Sequence, residues 1–164
     1  MSHTPGPIRE QLAALLPRLR RFARTLTRNP HDADDLVQLA LERALMRLEQ
    51  FKPGTKLESW MFGIMKNAWI DEVRSRGRRS HLFVVEEEAE HVGVASTEAH
   101  IELWSMQSAL ERLPDEQRLA VALVLVEGFT YQEAADVMEV PIGTVTSRLA
   151  RGRAALESIL SEHA

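Results

Sequence analysis

FTYQEAADVMEVPIGTVTSRLARGRAAL, from Phe129 to Leu156, holds two helices and the turn that separates them. Thr130 followed three residues later by Glu133 has the spacing of a capping box, in which each side chain takes up a backbone N–H that a helix start leaves unpaired. Ala134, Ala135 and Met138 then give the inward side of a short helix ending near Glu139. Val140-Pro141-Ile142-Gly143 reads as a turn, and a second helix follows it to about Leu160. At about 100° per residue, Val145, Leu149, Gly152, Leu156 and Ile159 share one face of that helix. Thr144, Ser147 and Arg151 lie opposite, flanked by Thr146, Arg148, Ala150 and Arg153. A short capped helix, a tight turn and a basic second helix in this order predict a helix-turn-helix, whose second helix lies in the major groove of DNA. Its arginines and hydroxyls suit phosphates and base edges, and Gly152 on the inner face permits a close helix crossing.

Working back toward the N-terminus, helical periodicity dominates. Leu119, Ala122, Leu123 and Val126 mark a helix closed by Gly128, and Ile101, Trp104, Ala109, Leu110 and Leu113 mark another before Pro114. Earlier still, Leu12, Leu15, Leu16, Leu19, Phe22 and Leu26 form a stripe that Pro17 is expected to kink or restart. Asn29-Pro30 begins a helix with the buried stripe Ala33, Leu36, Val37, Ala40, Leu41, Ala44, Leu45 and Leu48. Lys52-Pro53-Gly54 is a loop, and Thr55 with Glu58 fits a second capping box. It opens a helix with the stripe Leu57, Trp60, Met61, Ile64, Met65 and Ala68 that runs into Arg74. Periodicity fades between Gly77 and Thr97, where the basic run Arg74, Arg76, Arg78, Arg79 gives way to Glu86, Glu87, Glu88 and Glu90. This stretch reads as a solvated linker, with a short ordered piece at Leu82 to Val85. The expected fold is all-α: a helical bundle over 8–76, a flexible linker over 77–97 and a helix-turn-helix bundle over 98–162.

Composition removes several classes of function. The 164 residues contain no cysteine, which excludes disulfides, thiolate metal sites and cysteine nucleophiles. Six histidines are scattered without metal-ligand spacing, so neither metal nor cofactor is expected. Asp34-Asp35 and Asp71-Glu72 are adjacent carboxylates that diverge on a helix rather than converge on a substrate, so no catalytic residue is assigned. No apolar run approaches the roughly 20 residues that span a bilayer, and Met1 to Pro7 lacks a signal-peptide pattern. The cytoplasm is the expected compartment, without membrane insertion. The formal net charge of −4 hides an asymmetry: residues 1–80 carry 15 Lys and Arg against 9 Asp and Glu, whereas residues 81–164 carry 5 against 15. A mildly acidic chain still binds DNA where its cations are gathered on the binding faces.

Phe129 to Leu156 resembles the fourth conserved region of extracytoplasmic-function (ECF) sigma factors, and Leu113-Pro114-Asp115-Glu116-Gln117-Arg118 is similar to the residues that lead into it. Two further stretches are similar to the family's second region: Asp32-Ala33-Asp34-Asp35-Leu36-Val37-Gln38, and Trp60 through Arg74. The likeness extends from about Leu12 to Leu160. It implies an alternative sigma factor that binds core RNA polymerase, recognises promoter DNA and is held by an anti-sigma factor. By position, it implies a polymerase-binding face at Asp35, Gln38, Leu39 and Glu42. It further implies contact with the downstream promoter element through Lys66, Asn67 and Arg74. The upstream element falls to Thr144, Thr146, Ser147, Arg148, Arg151 and Arg153, and bond chemistry belongs to the polymerase. Gly63, Met65, Thr146 and Ala150 depart from the residues common in the family, so promoter sequence does not transfer.

Two other functions fit parts of the chain. A sigma-like decoy that only binds an anti-sigma factor needs no Arg148, Arg151 or Arg153. A conventional repressor or activator needs no polymerase-docking bundle. Both motifs together favour promoter recognition.

Overall fold

Three helices from the first half of the chain pack on four from the second around one continuous apolar core. The computed structural model describes residues 5–82 and 98–162, with side chains over 8–78 and 105–162. Among the described residues there is no strand. The expected ordered piece over 83–85 and the acidic run Glu86 to Glu90 lie outside them, as do the side chains of Ile101 and Trp104.

Helix α1 (Pro5–Leu26) is continuous through Pro17, so the helix does not restart there. The proline removes the partner of the Ala13 carbonyl, but both residues sit at exposed positions, where water can donate to that oxygen. Helix α2 (Pro30–Met46) starts as the sequence predicts: Asn29 Oδ1 accepts from the Asp32 N–H at 2.8 Å, with Pro30 in the first turn. Leu45, assigned to the buried stripe, is instead 48% exposed in the last turn of α2. Helix α3 (Leu57–Leu82) does not use the Thr55 capping box. The Thr55 hydroxyl donates to the Lys52 carbonyl at 2.6 Å, closing the loop, and the helix starts later, which puts Glu58 out of register. Gly77 does not end α3. The helix continues to Leu82, so residues 77–82 of the expected linker extend it.

Helix α4 (Glu98–Glu111) is tied to α5 (Asp115–Val121) by Arg118, whose guanidinium donates to the Leu110 and Glu111 carbonyls and pairs with Asp115. Burial lowers the Arg118 pKa, and the Asp115 charge works against that shift. Helix α5 passes into a π-helical turn over Ala122–Val126, where the Glu127 N–H bonds the Ala122 carbonyl. Gly128 then takes φ +76°, a left-handed conformation suited to glycine, and turns the chain into the next helix.

Helices α6 (Tyr131–Met138) and α7 (Ile142–Glu162) form the helix-turn-helix. The Thr130–Glu133 capping box is complete, with both reciprocal bonds at 3.1 Å. Val145, Leu149, Gly152 and Leu156 face inward as their spacing requires. A Cβ on Gly152 would lie 2.9 Å from Val121 Cγ2, so glycine allows α7 to cross α5 this closely.

Candidate promoter and polymerase interfaces

The outward side of α7 is available to a partner. Thr146, Ser147, Arg151 and Arg153 are exposed, and Thr144 and Arg148 are half-buried. Both hydroxyls bond back into their own helix: Thr146 Oγ1 donates to the Ile142 carbonyl at 3.1 Å, and Ser147 Oγ to the Thr144 carbonyl at 3.1 Å. Each keeps oxygen lone pairs for an incoming donor. Arg148 leans toward Glu116 across 3.6 Å, while Arg151 projects from the centre of the face.

The three residues expected at the downstream element are not alike. Asn67 and Arg74 are exposed on α3. Lys66 is not: it is 3% exposed, and its ammonium sits 3.2 Å from Glu139 Oε2. Glu139 closes α6 in the left-handed conformation, with φ 57°. The packing of α6 on α3 therefore removes Lys66 from the surface.

On α2, Asp35, Gln38 and Glu42 are exposed, and Leu39 is half-buried against the core. A groove between α1 and α2 adjoins this face, with Leu16, Val37, Leu41 and Leu45 in its lining and Arg20 and Arg24 on one side. Leu45 and Met46, at 48% and 85% exposed, extend the apolar surface beyond what periodicity suggested. Helical spacing placed Leu45 inward, and only the end of the helix at Met46 reveals the difference. Among the described residues, no His, Asp and Glu cluster is arranged to hold a metal, and no helix is long and apolar enough to cross a membrane.

The sequence also gave no sign of how the two halves join. Phe62, outside the predicted stripe of α3, stacks edge-on to Phe22 and to Phe129, each with ring centroids 5.0 Å apart. The Arg18 guanidinium lies 5.3 Å from the centre of the Phe62 ring and 5.7 Å from that of Phe129. Arg18 also pairs with Glu58 and with Glu127. Arg21 completes the cluster, with Nε and Nη2 at 2.9 and 2.8 Å from the two Glu127 carboxylate oxygens. Those bonds raise the Arg21 pKa.

Comparison with known proteins matches residues 12–79 to Sigma-70 region 2 and residues 103–156 to Sigma-70, region 4. ECF RNA polymerase sigma factor EcfG of Rhodopseudomonas palustris is 36% identical over 157 residues, covering 93% of this chain and 84% of that protein. The chain belongs to the ECF sigma factor family. ECF RNA polymerase sigma factor SigM of Mycobacterium tuberculosis is 35% identical, covering 87% of this chain and 71% of the relative. Among solved structures, the sigma factor RpoE of Bartonella quintana, in complex with the anti-sigma factor NepR, superposes with a TM-score of 0.79 at 33% identity. That match covers 93% of this chain and 96% of RpoE. Sigma factors direct core RNA polymerase to promoters to start transcription, and members of the family are not enzymes in general.

Proposed function

We propose that this sigma factor works through three surfaces. The α2 face at Asp35, Gln38, Leu39 and Glu42 docks on core RNA polymerase, with Leu45 and Met46 extending it. Helix α7 reads the upstream promoter element as duplex through Thr144, Thr146, Ser147, Arg148, Arg151 and Arg153. Helix α3 engages the downstream element through the exposed Asn67 and Arg74, and through Lys66 once α6 no longer covers it. The exposed Ser147 and Arg151 on a helix whose opposite face is fully buried carry this reading. A side chain at that position reaches base edges when the helix lies in the major groove, and arginine neutralises phosphates. Holding both elements at once adds avidity that neither half supplies alone.

Regulation by an anti-sigma factor is part of the same proposal, supported by the likeness to an RpoE captured with NepR. The workplace is the cytoplasm, where polymerase and promoter are found. The test is reconstitution: core polymerase supplied with the purified chain initiates at a restricted promoter set, read by sequencing the transcripts. Core polymerase that gains no new start sites on a genomic template, with the chain folded and bound to it, overturns promoter recognition. Ala substitutions at Asp35, Gln38 and Glu42 weaken polymerase binding without changing duplex binding; the opposite pattern moves the docking face elsewhere.

A further inference from the structure

Helix α7 is not uniform around its outward side. Ser147 and Arg151 occupy the centre, and Arg148 lies on the flank next to α5, 3.6 Å from Glu116. On the other flank, toward α6, Thr146, Ala150 and Ala154 succeed one another at i, i+4 and i+8, all exposed. Between this row and Tyr131, the first residue of α6, lies a recess of about 320 Å³. The buried Leu149 is its floor, and Tyr131, 39% exposed, is the facing wall. Arg153 and Glu157 stand at the end away from the turn.

Alanine at 150 and 154 keeps this recess open, since a longer side chain at either position would extend into it. Its walls are also held in place. Phe129 is buried against Phe62, and the Thr130–Glu133 capping box fixes the first turn of α6, so Tyr131 starts from a pinned backbone. Thr146 Oγ1 is turned back to the Ile142 carbonyl at 3.1 Å. That bond fixes χ1, and it leaves the γ-methyl as the group free to meet a ligand. Most of the lining is therefore carbon: a ring, an isobutyl group and methyls.

A flank of this composition cannot pair with the donors and acceptors of a base edge as the arginines can. It suits the apolar group that the major groove presents, the C5-methyl of thymine. The recess is wider than a methyl, so the base edge that carries the methyl enters with it. It also adjoins Ser147 and Arg151 on the same helix, so duplex lying on α7 covers all of them together. We propose that the recess makes α7 selective for thymine. The C5-methyl of one T·A pair in the upstream element seats against Thr146 and Ala150, and these two residues set the base at that position. The proposal rests on α7 being the reader of upstream duplex. It divides the helix into two kinds of readout, hydrogen bonding at Ser147 and Arg151 and apolar contact at Thr146 and Ala150.

Deoxyuridine pairs as thymidine does and lacks only the methyl, so it isolates the contact. Core polymerase loaded with the full chain is titrated with promoter duplex in which each thymine of the upstream element, on either strand, is replaced in turn. One position should weaken binding roughly three- to fivefold, the scale of one buried methyl. Thr146→Ser keeps the hydroxyl and removes only the γ-methyl, and Ala150→Gln fills the recess with a polar chain. Each should reduce that deoxyuridine effect to under about twofold, as contacting groups do in a double-mutant cycle. Both residues are exposed, so the variants keep the fold. Variants that respond to deoxyuridine as the parent does, or a scan in which no position matters, overturn the proposal. A parallel titration with Arg151→Ala and with a scrambled upstream element tells where such a failure lies. If these weaken binding while no deoxyuridine does, the thymine recess falls and α7 remains the reader. If they leave binding unchanged as well, the assignment of α7 falls and the recess with it.

Discussion

Helices α3 and α7 are both assigned to DNA, yet the fold treats them oppositely. Helix α7 buries one face, through Val145, Leu149, Gly152 and Leu156, and leaves the rest to solvent. Helix α3 buries Met61, Phe62, Ile64, Met65, Lys66, Ala68 and Trp69, an arc of about 200° that leaves Asn67, Asp71 and Arg74 exposed on the other side. A buried arc that wide needs more than one cover. Helices α1 and α2 supply the first, and α6 with the turn before it supplies the second. The lesson is that a nucleic-acid-facing surface can be shared with an internal interface, so that exposure depends on how the two halves sit.

Breaking the second cover of α3 should have the largest effect. Phe62→Ala removes a fully buried ring that touches Phe22 on one side and Phe129 on the other. A loss of about 3–5 kcal/mol in chemical denaturation is expected, from lost burial and the cavity left behind. A loss under about 1 kcal/mol would mean that the ring has little partner in solution and that α3 has only one cover. On α7, Arg151→Ala should leave stability unchanged within about 0.5 kcal/mol, since surface positions away from caps and cores do so. It should instead cost about 1–3 kcal/mol in binding to upstream duplex, measured by fluorescence anisotropy at fixed salt. Unaltered affinity removes Arg151 from the reading face.

Glycine sharpens the contrast, because the same substitution should change sign between the two helices. At Gly152 an added methyl meets Val121 Cγ2 at 2.9 Å, on a buried branched side chain that cannot swing away. Gly152→Ala should therefore lower stability by about 1 kcal/mol, overpacking outweighing the helix-forming gain. At Gly63 of α3 nothing lies within 4 Å of the added carbon, so Gly63→Ala should raise stability by about 0.5–1 kcal/mol. Thermal melts of both variants test the pair. Equal signs would show that the packing around one of the two helices has been misassigned.

The parts of this molecule legible from sequence are those set by neighbours a few residues apart. Asn29-Pro30, Thr130 with Glu133, Gly128 and the stripe from Val145 to Leu156 all carry their partners at fixed short offsets, and the structure forms each. Thr55 failed for the same kind of reason: its hydroxyl had a nearer acceptor in the Lys52 carbonyl, and local competition decided the helix start. Gly77 and Pro17 lie in long helices that continue past them, the packing of the flanking residues outweighing the cost of each. Lys66 was not legible at all. Its burial depends on Glu139, 73 residues away, and on a ring contact between Phe62 and Phe129 that no periodicity encodes. The same distance hid Glu127, which on its own reads as one more acidic residue before a glycine.

The smallest expected effect is a pH dependence that crosses between the halves. Glu133 has its pKa lowered from 4.5 to about 2, first by the Thr130 N–H it accepts, then by the Lys56 ammonium and the Thr130 hydroxyl. A carboxylate whose folded pKa is depressed adds stability that is complete above its unfolded value and disappears as pH falls through the folded one. Its contribution should therefore be full above about pH 4.5 and fade toward about pH 2. The comparison to make is between the parent and Glu133→Gln, melted at intervals across that window. The gap between their midpoints should be widest at the upper end and shrink as pH falls, whereas a constant gap would trace the loss to packing instead of charge. Lys56→Gln then divides the effect between the halves. The backbone bond from Thr130 lies wholly within the helix-turn-helix and survives that change, so most of the pH dependence should remain. The part that disappears reports the Lys56–Glu133 contact between the two halves.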